Sequence, residues 1–374
     1  MKFAAVLADV VRYLLGAMFL FSAAMKFVSI DAFEIYVFSY GIFSLGLCFY
    51  AARLLLVCEL VLGVALIVGR CPRLESLFCI LFLLAFEVFL AYASIIGRTD
   101  SCHCFGDILP FTPVQSIIKN AVLIPLALFV FHCSERERAT FAWWLPVVVA
   151  FAASVITVFV IVRTSHVIDT YAMVLMGITT VLTFVLAIWG SKCKIVNVLL
   201  PLVPLVAVFV LSPPDNWFYR GSSEPFDKEL FLAEITPSGN EYGKELPDLG
   251  AGENVLSDAD LNVGRHVVAF FSPKCAYCQL AASKISSIVS RHNLDTNAIV
   301  YVFPKVDDDG LYDDFYKNSG AARMNEMKIS KTLFLKITRG EFPLVVLVDD
   351  GTVEASYGYR NINEKRVADF VGVQ

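Results

Sequence analysis

Apolar residues run in long, nearly unbroken stretches up to about residue 212, after which Asp, Glu, Lys, Gly and Pro return at ordinary density. A helix needs roughly 20 apolar residues to cross a hydrocarbon core of about 30 Å, because lipid offers backbone N–H and C=O groups no partner. Seven stretches approach that length, near 5–28, 46–69, 74–96, 114–132, 141–163, 171–190 and 195–212. The pattern then changes. His-Val-Val-Ala-Phe-Phe-Ser at 266–272 reads as a short buried strand, and a helical period follows to about residue 290. Strands near 298–304 and 344–348, a turn at Asp349-Asp350-Gly351, one more strand and a closing helix from about 363 complete the chain. The expected fold is multi-domain: an all-α polytopic membrane bundle of about seven helices, then an α/β domain. The expected segments are a four-helix membrane domain over 1–133, three further spans over 134–212, a linker over 213–244 and the α/β domain over 245–374.

Composition agrees with this division. Hydrophobic residues make up 57% and charged residues 17%, against about 45 to 50% and about 25% in an average soluble domain. The net charge of -5 comes without a basic stripe, which excludes a nucleic-acid partner and leaves the lipid bilayer as the expected one. Lys2 before an apolar run and Ser22-Ala23-Ala24 resemble a cleaved signal, but Asp9 and Arg12 interrupt the run and favour a retained helix. Arg70, Arg73, Arg136, Arg138, Lys192 and Lys194 fall in one set of short loops, and the alternate set holds Arg98 alone. The positive-inside bias therefore predicts a bacterial inner-membrane protein with a cytoplasmic N-terminus. Trp143, Trp144 and Trp189 then fall at the inner interface, and Trp217 and Tyr219 at the outer one. Seven spans place the 97–113 loop and everything after 212 in the same outer compartment.

The chemistry lies in the cysteines. Ten occur, and only Cys102/Cys104 and Cys275/Cys278 are close enough in sequence to suggest local pairs. Cys275-Ala276-Tyr277-Cys278 stands where a strand gives way to a helix. A sulfur at a helix N-terminus meets unpaired N–H groups that favour the thiolate, so Cys275 is the expected nucleophile. Cys278, one turn on, is the expected resolving thiol, able to attack a mixed disulfide at Cys275 and release the partner. The other readings of this pair are a permanent disulfide or half of a zinc site; no second Cys/His pair at zinc spacing lies nearby, and no metal is expected. Cys102-His103-Cys104 would close only a small, bent ring, and such strain makes a disulfide easier to reduce. Two free thiols, or a soft-metal site assisted by His103, are the alternatives.

Residues 245–374 resemble the thioredoxin superfamily. The resemblance implies that Pro343 is the family's cis-proline, facing the redox pair and holding the substrate backbone, with Phe342 and Tyr277 beside it as substrate-binding positions. Phe342 is larger and less polar than the usual residue there, and Ala276-Tyr277 is not the commonest intervening dipeptide. Residues 12–132 resemble the DoxX/MauE-type membrane family. Arg12, Gly16, Phe19, Ser22 and Lys26 fall on its first-helix pattern and Glu59 and Gly63 on its second. Cys102 to Gly106 and Lys119-Asn120 fall on its outer loop and fourth helix, with His103 where Gly is more usual. The methylamine-utilisation branch is linked to disulfide handling in an exported, cysteine-rich subunit beside a separate thioredoxin-like partner, and this chain carries both parts. Helices over 141–212 match no named family.

Glu59 and Glu87 fall at about 20 Å and about 13 Å from the outer end of their spans at 1.5 Å per residue. Charge at such depth is costly, which marks both as candidates for a proton relay; pairing of Glu87 with Lys119 is the structural alternative. Cys48, Cys58 and Cys79 read as small apolar fillers of helix packing. Cys71, Cys133 and Cys193 face the cytoplasm in this topology without a visible pairing, and the histidines at 132, 166, 266 and 292 are isolated. The expected function is electron exchange between Cys275/Cys278 and Cys102/Cys104 on behalf of exported, cysteine-containing clients. Oxidation of clients is favoured, with a membrane quinone as the simplest terminal partner. The alternatives are a reductant-exporting relay and a non-catalytic assembly or metal-handling factor.

Overall fold

The computed structural model describes residues 2–96, 111–134, 144–165, 169–189, 202–213, 261, 263–350 and 352–372. The chain divides into two compact units, one comprising Met1–Tyr36 and Leu47–Pro214 and the other Val37–Gly46 and Asp215–Gln374.

The first unit is helical: α1 (Lys2–Val28), α2 (Ile30–Phe38), α3 (Leu45–Val68), α4 (Pro72–Ile95), α5 (Pro113–Cys133), α6 (Trp144–Ser165), α7 (Thr170–Trp189) and α8 (Leu202–Leu211). Six of these, α1 and α3 through α7, are long and apolar enough to cross a membrane. The short α2 falls where the sequence pattern led us to expect a loop. Of the expected seventh span, 195–212, α8 supplies ten residues, a rise of about 15 Å, and residues 190–201 lie outside the described residues. Helix starts follow local chemistry. Pro72 and Pro113 stand at first-turn positions, where a missing N–H costs nothing. Thr112 and Gln115 form a reciprocal capping box, with Gln115 N donating to Thr112 Oγ1 (3.3 Å) and Thr112 N to Gln115 Oε1 (2.9 Å).

Leu15 and Phe19 of α1, Leu62 and Leu66 of α3, Cys79, Ile80 and Leu83 of α4, and Ala127 and Val130 of α5 form one core. α1 and α3 cross at two glycines: a Cβ on Gly16 would stand 2.9 Å from the Gly63 carbonyl oxygen, so only the absence of side chains permits the approach. α6 and α7 form a second pair, bridged by the Ser154 and Thr180 hydroxyls at 3.0 Å. At the end of α8 the fully buried Arg53 guanidinium gathers three elements. It donates to the Ser212 carbonyl (2.6 Å), the Pro213 carbonyl (3.0 Å) and the Phe49 carbonyl (2.8 Å), and pairs with Glu34.

In the second unit the elements are β1 (Arg265–Phe270), α9 (Ala276–His292), β2 (Ile299–Pro304), α10 (Gly310–Ser319), β3 (Asn325–Ile329), α11 (Lys331–Thr338), β4 (Leu344–Asp349), β5 (Thr352–Tyr357) and α12 (Glu364–Gly372). The sheet order is β3-β2-β1-β4-β5. β1 runs parallel to β2 and antiparallel to β4, with Phe270 opposite Val302 on one side and Leu344 on the other. The central strands are apolar on both faces, as strands covered on both sides require. Val268, Phe270, Val300, Val302 and Val346 pack with Phe334 and Ile337 of α11. On the opposite face Phe271 meets Tyr301 (5.0 Å between ring centres) and Phe315 (5.7 Å). Burying each such phenylalanine is worth about 1.5–3 kcal/mol. The strand order, the helix opening directly after β1 and the strand pair β4–β5 make this a thioredoxin-like fold. α10, β3 and α11 fill the interval between 305 and 339 in which no element had been expected.

Candidate functional site

The chain leaves β1 at Phe270 and turns through Ser272 to Lys274, where Cys275 N donates to the Ser272 carbonyl (3.1 Å). This turn delivers Cys275 to the N-cap of α9, in an extended backbone conformation. Its sulfur accepts from Cys278 N at 3.4 Å, and its carbonyl accepts the first helical bond, from Gln279 N at 3.1 Å. Cysteine here occupies a position usually held by Ser, Thr, Asp or Asn, and performs the same task with a sulfur. Cys278 is fully buried, and its sulfur accepts from Ser272 N at 3.4 Å.

The two thiols are therefore unequal. The Cys278 thiol, together with the Cys278 and Tyr277 backbone N–H groups, donates toward Cys275 and lowers its pKa from 9.0 to about 6, against the opposing effect of partial burial. Burial, followed by the hydrogen bond and charge at Cys275, pushes the Cys278 thiol up. An accessible thiolate with a protonated thiol behind it is an arrangement suited to stepwise exchange.

Around Cys275 the expected substrate positions divide between two flanks. Phe342–Pro343 is a cis peptide bond, as the resemblance implied, and Pro343 is buried. Phe342 packs on Phe334 with ring centres 5.7 Å apart and lines a groove of about 440 Å³. Pro273 and Lys274 border this groove, and Val306, Leu311 and Leu335 contribute apolar surface to it. On the other flank Tyr277 is 54% exposed and lies against Tyr359, ring centres 5.7 Å apart. Tyr359 and Lys284 belong to this second flank and had no signal in the sequence pattern.

Cys102 and Cys104 lie outside the described residues, as do His103 and Cys193. Glu59 is buried in the helical unit and is held by Lys26, whose Nζ donates to Glu59 Oε1 at 2.7 Å and to Ser22 Oγ at 2.8 Å. A mutually satisfied pair explains how carboxylate and ammonium are both tolerated at this depth. Glu87 accepts from Asn120 Nδ2 at 3.0 Å, the neighbour of the residue expected to pair with it. Cys48 and Cys79 are buried, in keeping with a packing role, but Cys58 is on an exposed helix face and fills no core. Cys71 and Cys133 flank the same end of the α4–α5 pair, where Arg73 Nε donates to the Ser134 carbonyl at 3.0 Å. Among the described residues, no group of three or more His, Cys, Asp or Glu side chains is placed to hold a metal ion.

Residues 4–132 match the family model of the methylamine utilisation protein MauE. Over 321 residues the chain is 25% identical to Protein TlpB of Flavobacterium psychrophilum, covering 83% of this chain and 80% of that protein. A secreted Mycobacterium tuberculosis disulfide oxidoreductase homologous to E. coli DsbE aligns with 31% of this chain and 86% of its own, at 14% identity and a TM-score of 0.25. The chain is a multi-span membrane protein with a MauE-like N-terminal region, and its C-terminal domain has the thioredoxin-like strand order described above.

Proposed function

We propose that this protein is a membrane-anchored thiol-disulfide oxidoreductase serving exported, cysteine-containing proteins. The observation that carries the proposal is the inequality of Cys275 and Cys278: a thiolate available near pH 6 at the N-cap of α9, with a buried, protonated thiol one turn on.

In the reducing direction, the Cys275 thiolate attacks one sulfur of a client disulfide. A mixed disulfide forms and the other client sulfur leaves as a thiolate. Cys278 then loses its proton and attacks the Cys275 sulfur, the mixed bond breaks, and the Cys275–Cys278 disulfide forms as the second client thiolate departs. Two electrons pass to the client, and two protons follow them. Oxidation of a client is the same sequence in reverse. The groove bordered by Pro273, Lys274 and Phe342 is the proposed place for the client chain.

The loop pair Cys102/Cys104 is the proposed exchange partner of Cys275/Cys278, in an outer compartment that both would share given the loop charge bias together with seven spans. Oxidation of clients with a membrane quinone as final acceptor is the direction we favour, because no cytoplasmic cysteine pair feeds electrons outward in the sequence. The test uses the full-length protein in mild detergent. Alkylation of Cys275, followed by peptide mass spectrometry, should show a midpoint near pH 6. Equilibration with glutathione should give a measurable potential for the pair, whose value decides the direction. A midpoint near 9 with no glutathione-dependent change would support a non-catalytic assembly factor instead.

A further inference from the structure

Lys284 lies in the middle of α9, the helix that carries the redox pair, and only 1% of it is exposed. Lysine is almost never buried to this degree without a partner, and an apolar residue of similar volume would fill the same space without the cost of desolvating an ammonium. The space is not merely filled. Lys284 Nζ donates to the Tyr359 carbonyl at 3.3 Å and stands 5.3 Å from the centre of the Tyr359 ring.

Helical spacing links this contact to the active site. Tyr277 and Lys284 are seven residues apart, two turns along one face of α9, with buried Ala281 between them. The 3-10 turn Tyr359–Asn361 lies along that face. Tyr359 therefore touches both residues at once. Its carbonyl and ring are held by Lys284, while its ring meets that of Tyr277 at 5.7 Å. Tyr277 lies between the two cysteines and exposes half its surface beside Cys275. Without a fixed Tyr359, the half-exposed Tyr277 ring would regain rotamer freedom.

We propose that Lys284 is a positioning residue that holds Tyr359 in place. Tyr359 in turn holds Tyr277 as an aromatic wall beside Cys275, which selects clients with a large apolar or aromatic side chain next to the reacting cysteine. This rests on the oxidoreductase reading for its consequence, while the link from Lys284 to Tyr277 stands on geometry alone. An acidic, neutral polar or small neighbouring side chain would gain little from the wall, because the exposed ring offers dispersion and edge or face contacts.

The test uses full-length protein in mild detergent and two disulfide-containing peptides, one with Phe and one with Ser beside the reacting cysteine. Lys284→Met should raise KM for the Phe peptide about 3- to 10-fold, the size of one aromatic contact. KM for the Ser peptide should stay the same, and kcat for both should stay within about twofold. Lys284→Arg, which keeps a donor, should restore part of the loss, and Tyr359→Leu should reproduce it. Retention of the Cys275 alkylation midpoint near 6 would show that each variant has kept its active-site fold. A second arm replaces Tyr277 by 3-fluorotyrosine. Its fluorine resonance should move toward the solvent-exposed position when Lys284→Met is added. An unchanged resonance, or an unchanged KM for the Phe peptide in both Lys284→Met and Tyr359→Leu, overturns the proposal. If the unmodified protein turns over neither peptide, the oxidoreductase reading falls and the fluorine arm alone decides the positioning link.

Discussion

Replacing Cys278 by Ala removes the largest influence on the Cys275 thiolate and leaves the helix N-terminus intact. Two kinds of donor hold that thiolate: the Cys278 thiol, and the backbone N–H groups of Cys278 and Tyr277. A hydrogen bond to a charged group is worth about 1.5–3 kcal/mol, and one pKa unit corresponds to about 1.36 kcal/mol. Loss of the thiol donor should therefore raise the Cys275 midpoint by about one to two units, from about 6 toward its ordinary value of 9.0. Because Cys275 is partly exposed, water replaces some of the lost donation, which favours the lower end. With a midpoint of about 7, the thiolate fraction at pH 6.5 falls from about three quarters to about a quarter, roughly threefold. The sign is definite: a depressed pKa keeps the thiolate populated down to about pH 6, and the variant should lose that population at higher pH. Iodoacetamide alkylation of the full-length protein from pH 5 to 9, read as the modified Cys275 peptide, measures this directly, with Cys275→Ser as background. A variant midpoint that stays near 6 would mean that the thiolate is set by something other than its pair and would refute this account of the site.

Under oxidising conditions Cys278→Ala should also accumulate a disulfide from Cys275 to Cys102 or Cys104. The halves made by cleavage at a protease site near Gly239 should then stay joined until reductant is added. The tether is long enough, since about 30 residues at about 3.3 Å each separate the helices from the domain. Lys26→Met should destabilise the detergent-solubilised protein by about 3–5 kcal/mol by leaving Glu59 buried and unpaired, and Lys26→Met with Glu59→Leu should recover most of it; chemical unfolding measures both. A loss under about 1 kcal/mol in the single variant would show that the pair is hydrated. In intact cells an impermeant thiol reagent should label reduced Cys275 and spare Cys193, and the reverse pattern would invert the proposed topology.

The sequence by itself determined the features that depend on local pattern and covalent spacing. Apolar runs of about twenty residues are long enough to cross a bilayer as helices, so α1 and α3 through α7 were legible, as was the change of composition beyond residue 212. A strand running into Cys-x-x-Cys and a helix picked out Cys275 and Cys278, and Gly-Glu-Phe-Pro before an apolar run marked Pro343. Amphipathic segments with weaker signals were not legible. In α10, Tyr312, Phe315 and Tyr316 form the buried face amid Asp, Lys and Asn, and α11 begins at a Ser330 cap without a long periodic run. Tertiary structure alone decided which polar groups meet. Lys26 reaches Glu59 across 33 positions and Arg53 reaches Ser212 across 159, distances over which no periodicity carries information. The same holds beside Cys275. Tyr359 lies 82 positions beyond Tyr277, and only the fold of β4, β5 and the following turn brings its ring and carbonyl onto the helix face that Tyr277 and Lys284 share. The setting of Cys275 can be read locally because a helix N-terminus acts on its own first residues. The aromatic surface beside it is assembled from distant parts of the chain.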